Sequence, residues 1–506
     1  MTNSPSLRPP APFVLRYLER TLFIAAAAWI AFAWVRAGAT GSLWLGVDDI
    51  LRMRHVQYLR EGTLPIEWGG EWLPGVMVYQ AAIVKLFPFT LPNDVLVSGL
   101  IAYLAAYFFA RRTALLLGGV WGAMITGAGF ALSPIGLRLS ASAHGEPVYL
   151  AAMLGGLWFL TSARHGGSRW RYILAIVLFA CAETIRMEAW VAVLPCLLAL
   201  ALRERETRKR HLIAFLILAL IPFAWLSCAF VLHGNPFHNY MAVAKIHEGY
   251  YEGTTALDRL MRVFRYFASS PTLPLQLAIA GMTAALYAGD RTSLPAIAIS
   301  LSSFVFLFFT AISGTFSPLP LDRFVAVPVL LTLPLAGCFL ALLDGRATSW
   351  LKPLLLVATI ASACAEYRAH QFDEKDIREK MRLNLIDAVR ETNGMRAFPN
   401  KKARNVYAMP ALPAELAINT MHLFYEKDEH QFAWTPSDTS AVDLVKKAQE
   451  MRAQRLFVDP RDYRAIRDLH DWYYHVHTLK EEPPVPGWEP VRFVDGVFLV
   501  IRTKPY

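Results

Sequence analysis

Two adjacent acids and several arginines directly follow the first long apolar segment of the chain. In residues 44–62, Asp48 and Asp49 are followed by Arg52 and His55. The apolar residues between them recur with helical spacing, which predicts a helix over most of this stretch. Asp48, Arg52 and His55 would then share one face, because they stand at i, i+4 and i+7. A carboxylate beside guanidinium groups suits a reaction in which a hydroxyl loses a proton and a phosphate leaves.

The same residues have a structural interpretation. Aspartate is a favoured residue at the start of a helix, where it caps the backbone and complements the helix dipole, and an arginine suits the last turn. From this stretch alone, helix capping with surface charge and catalysis are both open.

The composition excludes an ordinary soluble enzyme. Of 506 residues, 55% are hydrophobic, and the mean hydropathy is +0.34. Apolar runs of about 20 residues, enough to cross a hydrocarbon core of roughly 30 Å, recur along the first 370 positions. The net charge of +10 does not indicate a nucleic-acid partner, because many basic residues lie in short loops between these runs.

We predict a polytopic α-helical membrane protein with about eleven transmembrane helices. Its N-terminus is expected inside, since Arg8, Arg16 and Arg20 precede the first span. Residues 37–93 would form a large first outer loop, with 73–88 as an amphipathic helix on the outer surface. The predicted spans lie near 21–36, 94–110, 114–132, 147–163, 171–185, 188–202, 212–232, 271–289, 294–312, 324–343 and 351–366.

The chain becomes polar from about residue 368. Strands are predicted at 406–409 and 455–458, and helices at 374–392, 411–425, 437–451 and 461–473. Asp495-Gly496 is a turn sequence between two apolar strands, which predicts a closing hairpin. We predict a small α/β domain at 368–506, outside the membrane. The five cysteines all lie in apolar segments without metal-ligand spacing, so they predict neither a zinc site nor a disulfide framework.

Charged residues also mark two other predicted outer turns. His144 and Glu146 stand just before a span that begins at a proline, which is either an ordinary helix start or a site. Glu183, Arg186 and Glu188 lie between two short spans. Because a charge in mid-membrane costs about 2.5–3.5 kcal/mol, these three should pair or face a wet cavity. The structural alternative is an i, i+3 pair between Glu183 and Arg186.

Two further cations lie on the side of the membrane that basic residues usually avoid. Lys245 lies in the long outer loop 233–270, and Arg323 opens a late span from the outer face. Arginines at that end of a span do not help to orient it, so an anionic partner is expected there.

The order of these motifs resembles polytopic GT-C glycosyltransferases, the superfamily that uses polyprenyl-phosphate-linked sugars, and in particular its mannosyl- and arabinofuranosyltransferase-like branch. The motifs that carry the resemblance are Val47-Asp48-Asp49 with Arg52 and Gly62, Ile185-Arg186-Met187-Glu188, Gly234-Asn235-Pro236 with Lys245, and Asp322-Arg323-Phe324. In the second of these motifs, Met187 and Ala189 replace the proline and glycine that many members have.

The resemblance implies a GT-C-like transmembrane catalytic domain at 1–367 and a periplasmic α/β domain at 368–506, in a bacterial inner membrane. The activity would be transfer of a hexose or pentose from a polyprenyl-phosphate donor to a hydroxyl of a glycan, lipid or protein, with inversion of configuration at the anomeric carbon. Asp48 or Asp49 would be the general base, with Asp48 the first choice. The residues expected to bind the donor phosphate or substrate are Arg52, His55, His144, Glu146, Arg186, Glu188, Lys245 and Arg323.

The resemblance implies no required cofactor and no nucleotide. A divalent cation between Asp48 and Asp49 stays open, although two adjacent acids alone are weak support for one. Membrane lipids are expected neighbours of the spans.

Two other classes of function stay open. A transporter or flippase for a lipid-linked glycan would have charges at mid-membrane and two related halves, whereas the polar residues here gather at outer loops. A noncatalytic envelope-assembly protein would use the C-terminal domain for binding.

Overall fold

The computed structural model describes residues 12–39, 52, 56, 59, 73–86, 91–142, 144–166, 168–238, 241, 255–269, 273–313, 321–344, 348–369, 404–409, 432–436, 440–450, 453–458, 463–492 and 498–502. The chain divides into two compact units. The first contains Met1–Leu43, Thr63–Phe87 and Asp94–Gln371. The second contains Trp44–Gly62, Pro88–Asn93 and Phe372–Tyr506. The range that contains the paired acids falls in the second of these units, and the domain boundary at 367/368 stays a prediction.

The first unit is helical throughout its described residues. The helices in chain order are α1 (Phe13–Ala39), α2 (Gly75–Leu86), α3 (Leu91–Ala131), α4 (Pro134–Ser140), α5 (Glu146–Gly166), α6 (Arg169–Glu183), α7 (Glu188–Arg203), α8 (Arg208–His233), α9 (Ala256–Ser269), α10 (Leu273–Tyr287), α11 (Leu294–Ser313), α12 (Leu321–Thr332), α13 (Ala336–Leu342) and α14 (Leu351–Ala369). Most of the helices between residues 146 and 369 begin and end within a few residues of the predicted spans, but α9 lies in the predicted loop 233–270, and the predicted span 324–343 is divided into α12 and α13.

Several of these helices have the length and apolar character of membrane spans. Within the described ranges, five meet both requirements: Phe13–Arg36, Leu96–Ala131, Arg208–His233, Leu294–Ser313 and Phe324–Leu342. The remaining helices at predicted span positions are shorter or more polar. The chain is therefore built as a multi-pass membrane protein, and the number of eleven spans stays a prediction.

The predicted spans near 94–110 and 114–132 imply a turn at Arg111-Arg112, and this prediction is wrong. Helix α3 continues through both arginines and breaks at Gly119, whose φ of 72° and ψ of −161° are nearly restricted to glycine. The arginines do not need a polar turn, because Arg111 forms an ion pair with Glu19 of α1. The Arg112 guanidinium lies 5.7 Å from the centre of the Trp158 ring, a cation–π contact.

Helix α2 is amphipathic, as its sequence predicts. It buries Val76, Met77, Gln80, Ile83 and Val84 on one side, a spacing that follows the helical repeat. Its position relative to the membrane surface stays a prediction.

Helices α3 and α13 approach each other closely through glycines. A Cβ added to Gly118 would overlap the backbone of Gly337. Close by, the Thr126 hydroxyl donates a hydrogen bond to the Leu333 carbonyl at 3.1 Å. Leu333 begins a short 3₁₀ segment that contains Pro334 and separates α12 from α13. Small residues let two helix backbones approach where lipid offers no hydrophobic driving force.

The described residues of the second unit include a mixed sheet. Its strands are β1 (Arg404–Met409), β2 (Phe432–Pro436), β3 (Ala453–Val458), β4 (Trp488–Arg492) and β5 (Phe498–Arg502), in the order β2-β1-β3-β5-β4. The first three are parallel, and β5 runs antiparallel to both β3 and β4. Strands β4 and β5 form the closing hairpin that the sequence predicts.

Two helices accompany this sheet, α15 (Ala441–Glu450) and α16 (Tyr463–His477). Leu444, Leu456, Leu469 and Trp488 are among the residues that form its buried core. The strand Phe432–Pro436 was not predicted, and the helices predicted at 374–392 and 411–425 lie outside the described residues.

The glycine contact between α3 and α13 can be tested by overpacking it. We expect Gly118→Ala to lower the free energy of unfolding by about 1–3 kcal/mol, since the added methyl group meets backbone that cannot rotate away. The measurement is thermal unfolding of the purified protein in detergent. Gly166→Ala is the control, because a Cβ there meets only the end of the Arg171 side chain, 3.3 Å away. Equal melting temperatures for the two variants would contradict the close approach.

Candidate functional site

Arg186 joins two acids that come from different helices. Its Nη1 donates a hydrogen bond to Oε1 of Glu146 at 2.5 Å, and its Nε donates to Oε1 of Glu188 at 2.9 Å. Its Nη2 also binds Glu188. The side chain of Glu146 is fully buried, and those of Arg186 and Glu188 are 13% and 18% exposed. We call these three residues the Arg186 cluster.

The local sequence explains why the three meet. Glu146 is the first residue of α5 and precedes a proline, which suits the start of a helix. Glu188 is the first residue of α7, where an acid complements the helix dipole. Arg186 lies in the turn that connects α6 to α7, so its guanidinium is held between two helix N-termini that each carry an acid.

The start of α12 reaches the same place. The Arg186 Cζ lies 5.6 Å from the centre of the Phe324 ring, within the range of a cation–π contact. Helix α12 also packs against α5. The backbone of Asp322 and Arg323 is helical directly before Phe324, so two motifs separated by more than a hundred residues meet at one guanidinium.

Helix α2 also contacts the α6–α7 turn. The Gly75 N–H donates a hydrogen bond to the Thr184 carbonyl at 2.8 Å. A Cβ at Gly75 would overlap Thr184, and one at Gly145 would touch Ile185 and Val76. The beginnings of α2, α5, α7 and α12 therefore surround one small region.

The two carboxylates determine the charge state of Arg186. Burial alone would lower the pKa of its guanidinium, but the charges of Glu188 and Glu146 outweigh burial and raise that pKa above its ordinary value. Arg186 is therefore a permanent cation, and with two acids beside it the cluster carries more negative than positive charge.

Glu183 does not pair with Arg186, so the i, i+3 pair that was the structural alternative is absent. Its side chain is fully buried, and neither carboxyl oxygen has a hydrogen-bond partner among the described residues. Glu183 ends α6, and the chain then turns, which directs Arg186 to Glu146 and Glu188 instead. The Glu183 carbonyl accepts a hydrogen bond from Trp190 Nε1 at 2.9 Å.

The structure places some of the other predicted site residues. His144 is buried two residues before Glu146, and its backbone N–H donates to Ser142 Oγ at 3.4 Å. Arg52 is buried in the second unit and has a helical backbone. Asp48, Asp49, His55 and Lys245 lie outside the described residues, as does the side chain of Arg323.

Sequence reasoning missed Tyr149 and the role of α2. Tyr149 lies almost one helical turn after Glu146 and is fully buried, and its hydroxyl has no hydrogen-bond partner within the described part of the chain. The i, i+3 spacing from Glu146 was the available signal. Nothing in the sequence of α2 indicates that Gly75 binds Thr184.

In the part of the chain that the structure describes, no three His, Cys, Asp or Glu side chains gather as metal ligands would. The pair Asp48 and Asp49, for which a cation stays open, is not within that part.

Comparison with solved structures identifies the architecture. No protein-family model matches the sequence, and no curated protein matches it either. The structure is similar to that of ArnT from Cupriavidus metallidurans bound to undecaprenyl phosphate, with a TM-score of 0.57 and 15% identity over 96% of this chain and 98% of that one. The apo state of the same protein gives a TM-score of 0.58 at 14% identity, covering 95% and 98% of the two chains.

An archaeal protein has the same architecture. The oligosaccharyltransferase AglB from Archaeoglobus fulgidus, in complex with an inhibitory peptide and a dolichol-phosphate, matches with a TM-score of 0.53 at 12% identity over 88% of this chain and 70% of that one. Both proteins are GT-C glycosyltransferases. This chain has the GT-C fold. The resemblance that its motifs predict is thus confirmed at the level of fold.

Within this GT-C fold, the two buried acids Glu183 and Glu146 should respond oppositely to neutralisation. We expect Glu183→Gln to leave the melting temperature unchanged or to raise it, because glutamine replaces a buried carboxyl group that has no hydrogen-bond partner among the described residues. Glu146→Gln should lower the free energy of unfolding by about 1–3 kcal/mol, since it weakens a charge-assisted bond to Arg186. Thermal unfolding in detergent measures both, and a larger loss for Glu183→Gln than for Glu146→Gln would contradict this assignment.

Proposed function

We propose that the protein is a membrane glycosyltransferase that moves a sugar from a polyprenyl-phosphate donor to an acceptor hydroxyl at the outer face of the membrane. The transfer would invert the configuration at the anomeric carbon of the sugar. The observation that carries the proposal is the Arg186 cluster. It unites predicted site residues from separate turns, in a fold shared with proteins whose structures hold undecaprenyl phosphate and dolichol-phosphate. The proposed location is a bacterial inner membrane, with the site and the residues after 368 in the periplasm.

The contacts of Arg186 limit what it can do for the leaving phosphate. A guanidinium has five N–H donors, and Glu146 and Glu188 occupy three of them, which leaves two. Those two can hold a phosphate oxygen in a fixed direction, because the acids prevent the guanidinium from rotating.

Two acids around one arginine also repel a phosphate. Binding an anion there therefore requires further positive charge. Arg323 fits this need, because its backbone lies directly before Phe324, which contacts Arg186. Lys245 is the second proposed cation, on the strength of its motif. These residues would stabilise the charge that develops on the phosphate as the glycosidic bond breaks.

The proposed base is Asp48 or Asp49, which would accept the proton of the acceptor hydroxyl as that oxygen attacks the anomeric carbon. The support is chemical and comes from the sequence: two carboxylates next to an arginine-rich helix. Of that helix, Arg52, Val56 and Leu59 are described and are helical, with Arg52 and Val56 buried.

The assignment of the base can be tested by neutralising each acid. We expect Asp48→Asn or Asp49→Asn to lower the rate of sugar transfer by about 100-fold or more, the usual contribution of a general base. The purified full chain in bilayers would receive a panel of undecaprenyl-phosphate-linked sugars, and release of undecaprenyl phosphate would be measured. Glu61→Gln, which removes an acid from the same stretch, is the control. Full activity in both aspartate variants would exclude these acids from the chemistry.

A second experiment tests the role of Arg186. Lysine keeps the positive charge but cannot bridge two carboxylates and a phosphate in one plane. We expect Arg186→Lys to lower kcat/KM by about tenfold or more, the loss of one or two charge-assisted bonds. Arg112→Lys is the control, because Arg112 is a partly buried helical arginine whose guanidinium lies against the Trp158 ring. Unchanged kinetics with Arg186→Lys would remove Arg186 from donor binding.

A further inference from the structure

The helices that begin at the Arg186 cluster end at a second charged feature. Helix α5 runs from Glu146 to Gly166, so its 21 residues span about 30 Å at 1.5 Å per residue. Helix α7 likewise runs from Glu188 to Arg203. A cleft of about 780 Å³ lies at these far ends, between the ends of α5 and α7, the α7–α8 turn and the α10–α11 turn. It is thus separate from the proposed transfer site.

The cleft is rich in guanidinium groups. Two glutamates, Glu204 and Glu206, are the acids among its lining residues. The arginines that line it outnumber these acids, and they are Arg164, Arg203, Arg205, Arg210 and Arg291. A positive charge in excess of the acids therefore remains for a ligand.

Glu204 is committed to contacts within the protein. Arg164 binds one of its oxygens, and the other lies 2.8 Å from the Thr207 hydroxyl and 3.1 Å from His211 Nε2. Burial would raise the pKa of Glu204, but His211, Arg164 and Thr207 outweigh it and lower that pKa to about 2. Arg164 also donates to the Arg291 carbonyl at 2.8 Å. This network fixes the wall of the cleft and leaves the other arginines unneutralised by Glu204.

Arg210 is the most unusual of these arginines. Its Cζ lies 3.4 Å from the centre of the Tyr172 ring, so the guanidinium is stacked and held in one plane. Its Nη2 is shielded from solvent and has no hydrogen-bond partner among the described residues. An N–H group that is shielded from solvent and has no acceptor raises the free energy of the folded protein. A bound anion would supply that acceptor.

We infer that this cleft binds a phosphate-bearing anion. Planar arginine groups match phosphate oxygens in geometry as well as charge, and the volume accommodates more than a single phosphate. The source of the phosphate is either an anionic phospholipid headgroup, since the cleft lies at helix ends, or a soluble polyphosphate. Basic residues at inner helix ends also orient spans, but orientation does not require a stacked arginine with a shielded, unpaired N–H.

The test is binding to the full chain in phosphatidylcholine nanodiscs. One arm titrates inorganic pyrophosphate, and the other compares nanodiscs with and without added cardiolipin, both at constant ionic strength, with thermal stabilisation as the readout. Arg210→Gln should lower the affinity for the probe that stabilises the protein by about tenfold, the loss expected for a charge-assisted hydrogen bond. Lys209→Gln is the matched control, because it removes one charge from the adjacent, exposed residue outside the cleft lining.

Each outcome decides the inference. Stabilisation by pyrophosphate without cardiolipin supports a soluble ligand, and stabilisation by cardiolipin alone supports a lipid headgroup. In either case, Arg210→Gln must weaken the binding of that probe, and Lys209→Gln must change it by less than about twofold. If Arg210→Gln does not fold, Arg205→Gln, at an exposed position of the lining, takes its place with the same expected direction. Stabilisation by neither probe, or equal losses in the arginine variant and Lys209→Gln, would overturn it. Sugar transfer is not used as a readout, so the result is independent of the proposed function.

Discussion

The architecture of the first unit depends on how it accommodates charge at the ends of its helices. At one end, a single guanidinium, that of Arg186, satisfies the acids that begin α5 and α7. Removing one partner from a buried ion pair leaves an uncompensated charge, which costs more than the pair contributes. The bond network therefore fixes the mutual position of two helix starts and of the turn between α6 and α7. Through Phe324 it also locates the beginning of α12, and no apolar contact would fix these directions as narrowly.

The same helices have a different electrostatic character at their two ends. Around Arg186 acids outnumber the described cation, while arginines outnumber acids in the cleft near Glu204. A phosphate that approaches Arg186 requires positive charge from elsewhere, whereas the far cleft already has an excess. This contrast explains why proposed donor binding depends on Arg323 and Lys245, and why the cleft at the other end is treated as a separate anion site.

Close backbone packing complements these ion pairs. Gly118 and Gly337 allow α3 and α13 to touch, and Gly119 permits the break that ends the first part of α3. Arg111 and Arg112 remain inside a helix because Glu19 and Trp158 supply their partners. Adjacent arginines in an apolar sequence thus lie within a helix here, and not at a turn.

The sequence by itself determined most of the helices from 146 to 369, because apolar runs bounded by charges and prolines have few other solutions in a membrane. It did not predict α9 or the break between α12 and α13. It also selected Glu146, Arg186 and Glu188 as site residues, since charges so close to a membrane must find partners. Only the tertiary structure decided which partners they find. Glu183 lies nearer to Arg186 in sequence than Glu146 does, yet Glu146 forms the pair, because the chain turns after α6 and the start of α5 is packed beside that turn. Such long-range choices follow from helix packing, which local spacing does not encode.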